Sequence, residues 1–337
     1  MTHYSVLIVG AGLAGLMAAK QFSGENVNYI ILDKGRSVGG RMATKRLNGG
    51  RSDYGAQFFT ARSDRMKNLV KQWEQEGIIH TWAKGFHQMK DIADLGSLTL
   101  HHDGYPRYAG KNGMNALTKQ LANGLNIKLE HEVEKIEWTD KWSIFVRVGK
   151  NSELLTYTAD QLMLTSPIPK SLALLSDGRL PLEEQLLEEL KNTSYFPCLC
   201  AMIALDRPTQ IPKPGGIQIK EGLISFLGDN AQKGISDTIV VTIHGNEHWS
   251  RKNYEQDDQY ILEKLIEAAR PLLGDGKVIE KQLKRWRYSK PELLHPNEFV
   301  ATTIPGVIAF AGDIFKRGAV EGAILSGIEA SKWMLKR

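Results

Sequence analysis

Gly10, Gly12 and Gly15 stand at the junction of an apolar run, Tyr4-Ser-Val-Leu-Ile-Val9, and a helical stretch over residues 13–22. A short run rich in β-branched residues predicts a buried parallel strand. Gly10 permits the tight turn out of that strand, and Gly12 lets backbone approach a pyrophosphate. Gly15, next to Ala14 in the same turn, lets the helix pack down on the strand. The helix start points its amides and its positive dipole end at the phosphates. A second apolar run, residues 27–32, ends in Asp33, eighteen residues past Gly15. A carboxylate there is placed to accept both ribose hydroxyls, and it would repel a 2′-phosphate. Strand, glycine turn, helix and acid in this order predict a dinucleotide site.

The next segment indicates which dinucleotide. Asp33 and Lys34 lead into Gly35-Arg-Ser-Val-Gly39-Gly40-Arg41-Met-Ala-Thr44. The glycine pair offers backbone near the phosphates, and Arg41 supplies a planar, permanently charged donor. This resembles the second flavin motif of amine-oxidase-like flavoproteins. At the other end of the chain, residues 307–311 form another buried-strand run that delivers Gly312-Asp313. A helix is predicted over residues 319–335, starting at Ala319-Val320, with Gly322, Ala323, Ser326 and Ala330 at helical spacing. Its small face lets the helix start come close to something flat, and its dipole would stabilise negative charge on the pyrimidine end of a reduced flavin. Asp313 is then placed to accept a hydrogen bond from the ribityl chain.

With these residues in view, the chain resembles the renalase family of bacterial type, within the amine-oxidase-like FAD superfamily. The matching residues are Val6-Leu-Ile-Val-Gly-Ala-Gly12, Asp33-Lys34, Gly39-Gly-Arg-Met42, Asp53-Tyr-Gly-Ala-Gln57-Phe58, Thr165-Ser-Pro167-Ile-Pro169, Val241-Thr-Ile-His244, Lys284-Arg-Trp286-Arg287-Tyr288 and Gly312-Asp313. The resemblance implies an α/β fold, a Rossmann-type FAD-binding domain with an inserted antiparallel-sheet substrate domain. It implies non-covalently bound FAD, with Gln57 and Phe58 against the cofactor and the backbone of Val133 at the adenine. The implied activity is oxidation of the 2- and 6-dihydro isomers of NAD(P) to β-NAD(P)⁺, with O2 reduced to hydrogen peroxide.

At 337 residues two domains are expected. The pattern places residues 1–78, 106–172 and 284–337 in the FAD-binding domain, and 79–105 with 173–283 in the substrate domain. Along the chain it predicts helices over 63–76, 112–123, 182–191 and 254–273, and paired strands over 125–138. It also predicts a strand over 198–205, a hairpin over 215–227, and strands over 238–244 and 278–288. Neither repeats nor low-complexity tracts interrupt this pattern.

Composition excludes several classes. The net charge of +5 carries no concentrated basic block, so no nucleic-acid partner is expected, although a mild positive balance favours an anionic dinucleotide. Apart from the glycine-interrupted start, no apolar stretch is long enough for a membrane span, and a cytoplasmic location is expected. The two cysteines, Cys198 and Cys200, alternate on one strand and face the same side, where they are poorly placed for a disulfide. They read as small buried hydrophobes. No metal cluster is expected, and His101-His102 reads as a turn or strand pair.

Hydride transfer to a flavin needs placement more than an acid or base, and the sequence contains no nucleophile elbow or catalytic triad. Arg287 is placed either to meet a substrate phosphate or carboxamide, with Trp286 and Tyr288 on the opposite face of its strand, or to be the one exposed arginine of an ordinary core strand. His244, at the end of an apolar strand, is a further pocket candidate that reads first as a buried, hydrogen-bonded structural histidine. A true amine oxidase is the rival reading. Such enzymes commonly place a tyrosine where this chain has Ala319, before Val320-Glu-Gly-Ala323, and some attach FAD through a late cysteine; no cysteine follows Cys200. Without that ring one face of an amine-attracting cage is missing. A flavin-holding redox sensor without turnover is the remaining alternative.

Overall fold

The structure is a computed structural model describing residues 2–149, 153–176 and 182–337. β1 (Thr2–Val9) runs from an exposed end into four buried residues, and α1 (Leu13–Gly24) begins at the Gly12 N-cap. Gly15 is obligatory, because a Cβ there would stand 2.0 Å from the Gly10 carbonyl oxygen. β2 (Tyr29–Leu32) is buried throughout, as its unbroken apolar run requires.

The chain divides into two compact units. The first comprises Met1–Gly40, Thr118–Ser194 and Pro291–Arg337. Its sheet runs β10 (His131–Trp138), β11 (Trp142–Val148), β12 (Glu153–Leu164), β1, β2 and β9 (Ile127–Lys128). The long β12 pairs antiparallel with β11 through its first half. Through its second half it pairs parallel with β19 (Ile308–Phe310), which carries β18 (Val300–Thr302). β1 lies parallel between β12 and β2, so the carboxyl ends of β1, β2, β12 and β19 open on one edge, where α/β sheets bind ligands. The expected pairing within residues 125–138 does not form: β9 joins β2 while β10 joins β11. Glu130, at φ 57°, turns the chain between them.

α8 (Ala319–Met334) packs on α1. At Gly327 a Cβ would meet the Ala14 carbonyl oxygen at 2.1 Å, so part of the small face exists to let these two helices touch. α4 (Ile168–Ser176) packs on β10, and α5 (Glu184–Lys191) packs on α4.

The second unit, Arg41–Leu117 with Tyr195–Lys290, is built on a seven-stranded sheet. Its order is β17 (Val278–Pro291), β13 (Tyr195–Leu205), β16 (Val240–Gly245), β15 (Ile224–Asp229), β14 (Gly216–Ile219), β6 (Phe86–Met89) and β7 (Thr99–His101). Alternation along β13 shows how it is covered on both faces. Leu199, Ala201, Ile203 and Leu205 join the core beneath α7 (Asp258–Leu273). Cys198, Cys200, Met202 and Ala204 face the other way, onto Leu47 of the hairpin β3 (Thr44–Leu47) and β4 (Gly50–Asp53). The two thiols therefore share a face, free and buried, and burial pushes Cys198 up to about 12. α6 (Glu247–Lys252) lies on β13. α2 (Asp64–Gln75) is capped by the Ser63 hydroxyl, which accepts from the Met66 N–H. It precedes the pair β5 (Ile79–Ala83) and β8 (Arg107–Gly110), after which α3 (Asn115–Leu121) leads back to the first unit.

The division departs from the sequence expectation. Residues 41–78, 106–117 and 284–290 belong to the second unit, and 173–194 to the first. The physical reason is Asp53, at the end of β4, which is buried against Lys233 and thereby commits the hairpin to the sheet of the second unit. Among the described residues, no helix is long and apolar enough to cross a membrane.

Candidate functional site

The candidate nucleotide residues of the first unit converge on the turn after β1. Gly10 has φ 108°, and a Cβ on it would strike the Thr165 hydroxyl at 2.6 Å. That hydroxyl, at the end of β12, donates to the Val9 and Gly10 carbonyls. Asp33 braces the turn from the end of β2: Ala11 N–H donates to Oδ2 at 2.7 Å and Gly35 N–H to Oδ1 at 2.6 Å. Each carboxylate oxygen keeps a lone pair for a ribose hydroxyl. Gly39 N–H donates to the Ala11 carbonyl at 2.8 Å, which stitches the glycine pair to the same turn.

Whether this fits a pyrophosphate can be read from the space around it. A Cβ on Gly12 would meet nothing within 4 Å, and one on Gly40 only the Gly12 Cα at 3.9 Å. α1 has no side-chain cap and no acid in its first turn. An open glycine cradle at an uncapped helix start is what an anion requires. Val133 sits on the edge strand β10 beside a bulge, where backbone groups remain for an adenine. Lys34 points outward and pairs with Glu132 at 3.6 Å.

At the same carboxyl edge, just past β19, Gly312 likewise has open space around its Cα, and its amide donates to Ser326. Asp313 is buried, and α8 starts at Gly318 without a side-chain cap. Ala319 is exposed with φ 49°, left-handed backbone that is rare for a residue with a Cβ, while Val320 beside it is buried. These residues fit a flat group with developing negative charge.

The second unit holds the remaining predicted residues. Arg41 donates to the Tyr288 and Ser289 carbonyls on β17, at 3.3 and 3.4 Å. Gln57 is locked: its Nε2 donates to the Asp53 and Gly55 carbonyls and lies 3.4 Å from His244 Nε2. Desolvation pushes His244 down to about 4; the Lys233 charge adds to this and a hydrogen bond to the Tyr54 backbone opposes it, so the imidazole is neutral at neutral pH. Phe58 joins Trp82, Phe86 and Phe226 in one aromatic set, with the Phe58 and Phe86 rings 4.9 Å apart. Trp286 stacks on Tyr54 at 5.6 Å and donates from its indole nitrogen to the Tyr54 carbonyl. The structure thus brings Gln57, His244 and Trp286 together around Tyr54.

Arg287 does not join them, which corrects the sequence expectation. Strand alternation that puts Trp286 toward Tyr54 turns Arg287 outward, where it lies over Tyr254 and pairs with Glu255 at 2.9 Å. Tyr288 packs edge-on against Tyr195 instead of lining the cluster.

Sequence reasoning missed two cations. Lys233 is wholly buried, bonded to Asp53 Oδ2 at 2.6 Å and to the Gln57 carbonyl, with its ammonium 4.8 Å from the Trp82 ring centre. Burial lowers its pKa, opposed by Asp53. Arg107 is buried over Phe58 and Phe86 and paired with Asp103. Both lie in polar loop or edge sequence that reads as solvated, so no local signal marked them. Among the described residues no three His, Cys, Asp or Glu side chains could hold a metal ion.

Comparison with known proteins identifies the family. Residues 8–73 match the NAD(P)-binding Rossmann-like domain, and residues 82–335 match the flavin containing amine oxidoreductase family. The chain belongs to the flavin-containing amine oxidoreductase family. It is an FAD-dependent oxidoreductase of amine-oxidase-like type. It is 25% identical to mouse renalase over 98% of both chains. A rice (Oryza sativa subsp. japonica) lysine-specific histone demethylase 1 homolog 2 is 28% identical, over 45% of this chain and 18% of that one. Among solved structures, putrescine oxidase bound to putrescine shares the fold at TM-score 0.72 and 12% identity, covering all of both chains. A putative protoporphyrinogen oxidase from Exiguobacterium also gives TM-score 0.72, at 13% identity over 100% of this chain and 99% of that one.

Proposed function

We propose that this family member is a renalase-like oxidase. Its substrates are the 2- and 6-dihydro isomers of NAD(P), returned as β-NAD(P)⁺, with O2 reduced to hydrogen peroxide. The observation that carries the reading is the end-to-end similarity to renalase, over 98% of each chain. Bound FAD supplies the hydride acceptor; the protein's own residues bind, orient and exclude water.

The chemistry of the second unit supports a ring over an ammonium group. Phe58, Trp82, Phe86 and Phe226 pack into one apolar aromatic set, and Arg107 and Lys233 already lie against three of these rings. Those ring faces are already taken by the protein's own cations, so they are closed to a substrate ammonium group. The carboxylate of Asp53, a possible counter-ion, is closed off by Lys233. Ala319 leaves no aromatic ring at the start of α8. A neutral His244 can exchange a hydrogen bond with a carboxamide without adding charge.

The test is anaerobic mixing of the purified holoprotein with the dihydro-NAD isomers, β-NADH and a panel of monoamines while flavin absorbance is followed. Rapid bleaching by the isomers alone is expected. Bleaching by amines at a similar rate would restore the amine-oxidase reading, and no bleaching by any of them would indicate a flavin-holding module without turnover.

A further inference from the structure

His295 belongs to neither the nucleotide turn nor the aromatic set, yet it is among the most constrained residues of the first unit. Its ring is buried, and both ring nitrogens are engaged. Nδ1 faces the Asn297 N–H at 3.1 Å and therefore accepts, which leaves the proton on Nε2. Nε2 meets Glu189 Oε1, in the last turn of α5, at 2.7 Å.

The backbone of the same residue grips the loop that enters α8 from both sides. Its N–H donates to the Ile314 carbonyl at 2.8 Å, and its carbonyl accepts from the Lys316 N–H at 2.7 Å. The ring packs edge-on against Phe315 at 5.3 Å, and Glu298 pairs with Lys316 at 3.2 Å. What is gripped is strained: φ is 36° at Lys316, 68° at Gly318 and 49° at Ala319. Two of these residues carry a Cβ in left-handed backbone, a conformation that persists only where the surroundings over-determine it. Directly after this turn comes the uncapped start of α8, and directly before it Gly312-Asp313.

We propose that His295, anchored by Glu189, is a positioning residue for the cofactor: it fixes the turn between Asp313 and Ala319 and so sets how the amides of α8 approach the electron-accepting ring of FAD. This rests on the assignment of Gly312, Asp313, Ala319 and Val320 to that cofactor. The partial positive charge of a helix start favours the reduced, more negative flavin, and the preference falls off within one turn of helix. A small displacement of the turn therefore alters the reduction potential before it alters the fold.

Glu189 has a side chain 38% exposed, so Glu189→Ala leaves a folded protein in which the anchor is gone. The potential of the bound flavin, measured by spectroelectrochemical titration of the holoprotein, is expected to fall. A roughly tenfold loss in the preference for reduced over oxidised FAD corresponds to about 30 mV for a two-electron couple. His295→Ala should give the same shift, and the double variant no more. His295→Gln can still bring an amide N–H toward Glu189, and Glu189→Gln still accepts, so both should recover most of the wild-type potential. A lowered melting temperature with unmoved potential in Glu189→Ala would overturn the proposal and leave His295 a structural residue. Ala319→Asp separates the two layers of the argument, because a new negative charge on this exposed residue must lower the potential if the ring lies there. If Ala319→Asp shifts the potential and the His295 and Glu189 variants do not, the positioning role fails alone. If Ala319→Asp shifts nothing, the cofactor assignment fails with it.

Discussion

Two desolvated ionisable residues illustrate how far a side chain's surroundings override its type. His244 is pushed down to about 4, chiefly by desolvation. Its folded value lies below that of the unfolded chain, so between about pH 6.5 and pH 4 the unfolded state binds the extra proton and stability falls as pH falls. His244→Asn removes this linkage. The fall in urea midpoint from pH 7 to pH 5 should therefore be smaller in the variant than in the wild type; equal falls would show that His244 titrates normally. Lys233 is the second case. Its ion pair with Asp53 is fully buried on both sides, so Lys233→Met leaves a carboxylate with no counter-charge, at a cost of about 3–5 kcal/mol. Equilibrium denaturation measures this loss, and Asp53→Asn added to Lys233→Met should recover part of it. A cost below about 1 kcal/mol, the range of exposed pairs, would mean that the pair is open to solvent.

At the scale of elements, the contact between α1 and α8 is the most sharply specified. Gly327 is required by distance, since its Cβ would fall 2.1 Å from the Ala14 carbonyl oxygen, and main chain cannot swing aside as a side chain can. Gly327→Ala must push the two helices apart, an overpacking cost of at least about 1–3 kcal/mol. Because both helices begin at residues proposed to bind the cofactor, the variant should also retain less FAD on purification. Full flavin occupancy with unchanged thermal stability would contradict this packing.

For the molecule as a whole, the cofactor is predicted to be held without a covalent bond. The two cysteines, Cys198 and Cys200, are buried in the second unit's sheet, and Cys198 is pushed up to about 12 by desolvation, far from thiolate reactivity. Acid precipitation should therefore release all the yellow colour into the supernatant, and colour in the pellet would show a covalent link. Asp33→Ala should weaken FAD binding by about 1.5–3 kcal/mol, the value of a hydrogen bond to a charged group, read as a higher dissociation constant for the apoprotein. Part of that loss would come from the glycine turn itself, because the same carboxylate accepts the Ala11 and Gly35 amides.

The sequence by itself determined the nucleotide half. Gly10, Gly12, Gly15 and Asp33 act through backbone geometry and helix ends, which are local properties that spacing reports directly. Most of the longer strands and helices were legible for the same reason, as was the shared face of Cys198 and Cys200, but α4, α6 and the β3–β4 hairpin were not, and the pairing within residues 125–138 went to other strands. Only the tertiary structure decided the rest. Arg287 is equally well placed by its sequence to face a pocket or solvent, and the stacking of Trp286 on Tyr54 chose solvent. The hairpin before Asp53 follows the FAD motif in the chain but belongs to the second unit, because Asp53 meets Lys233 across 180 residues. Charge pairing over such separations leaves no period or composition in the sequence. It exists only once the sheet has closed around it.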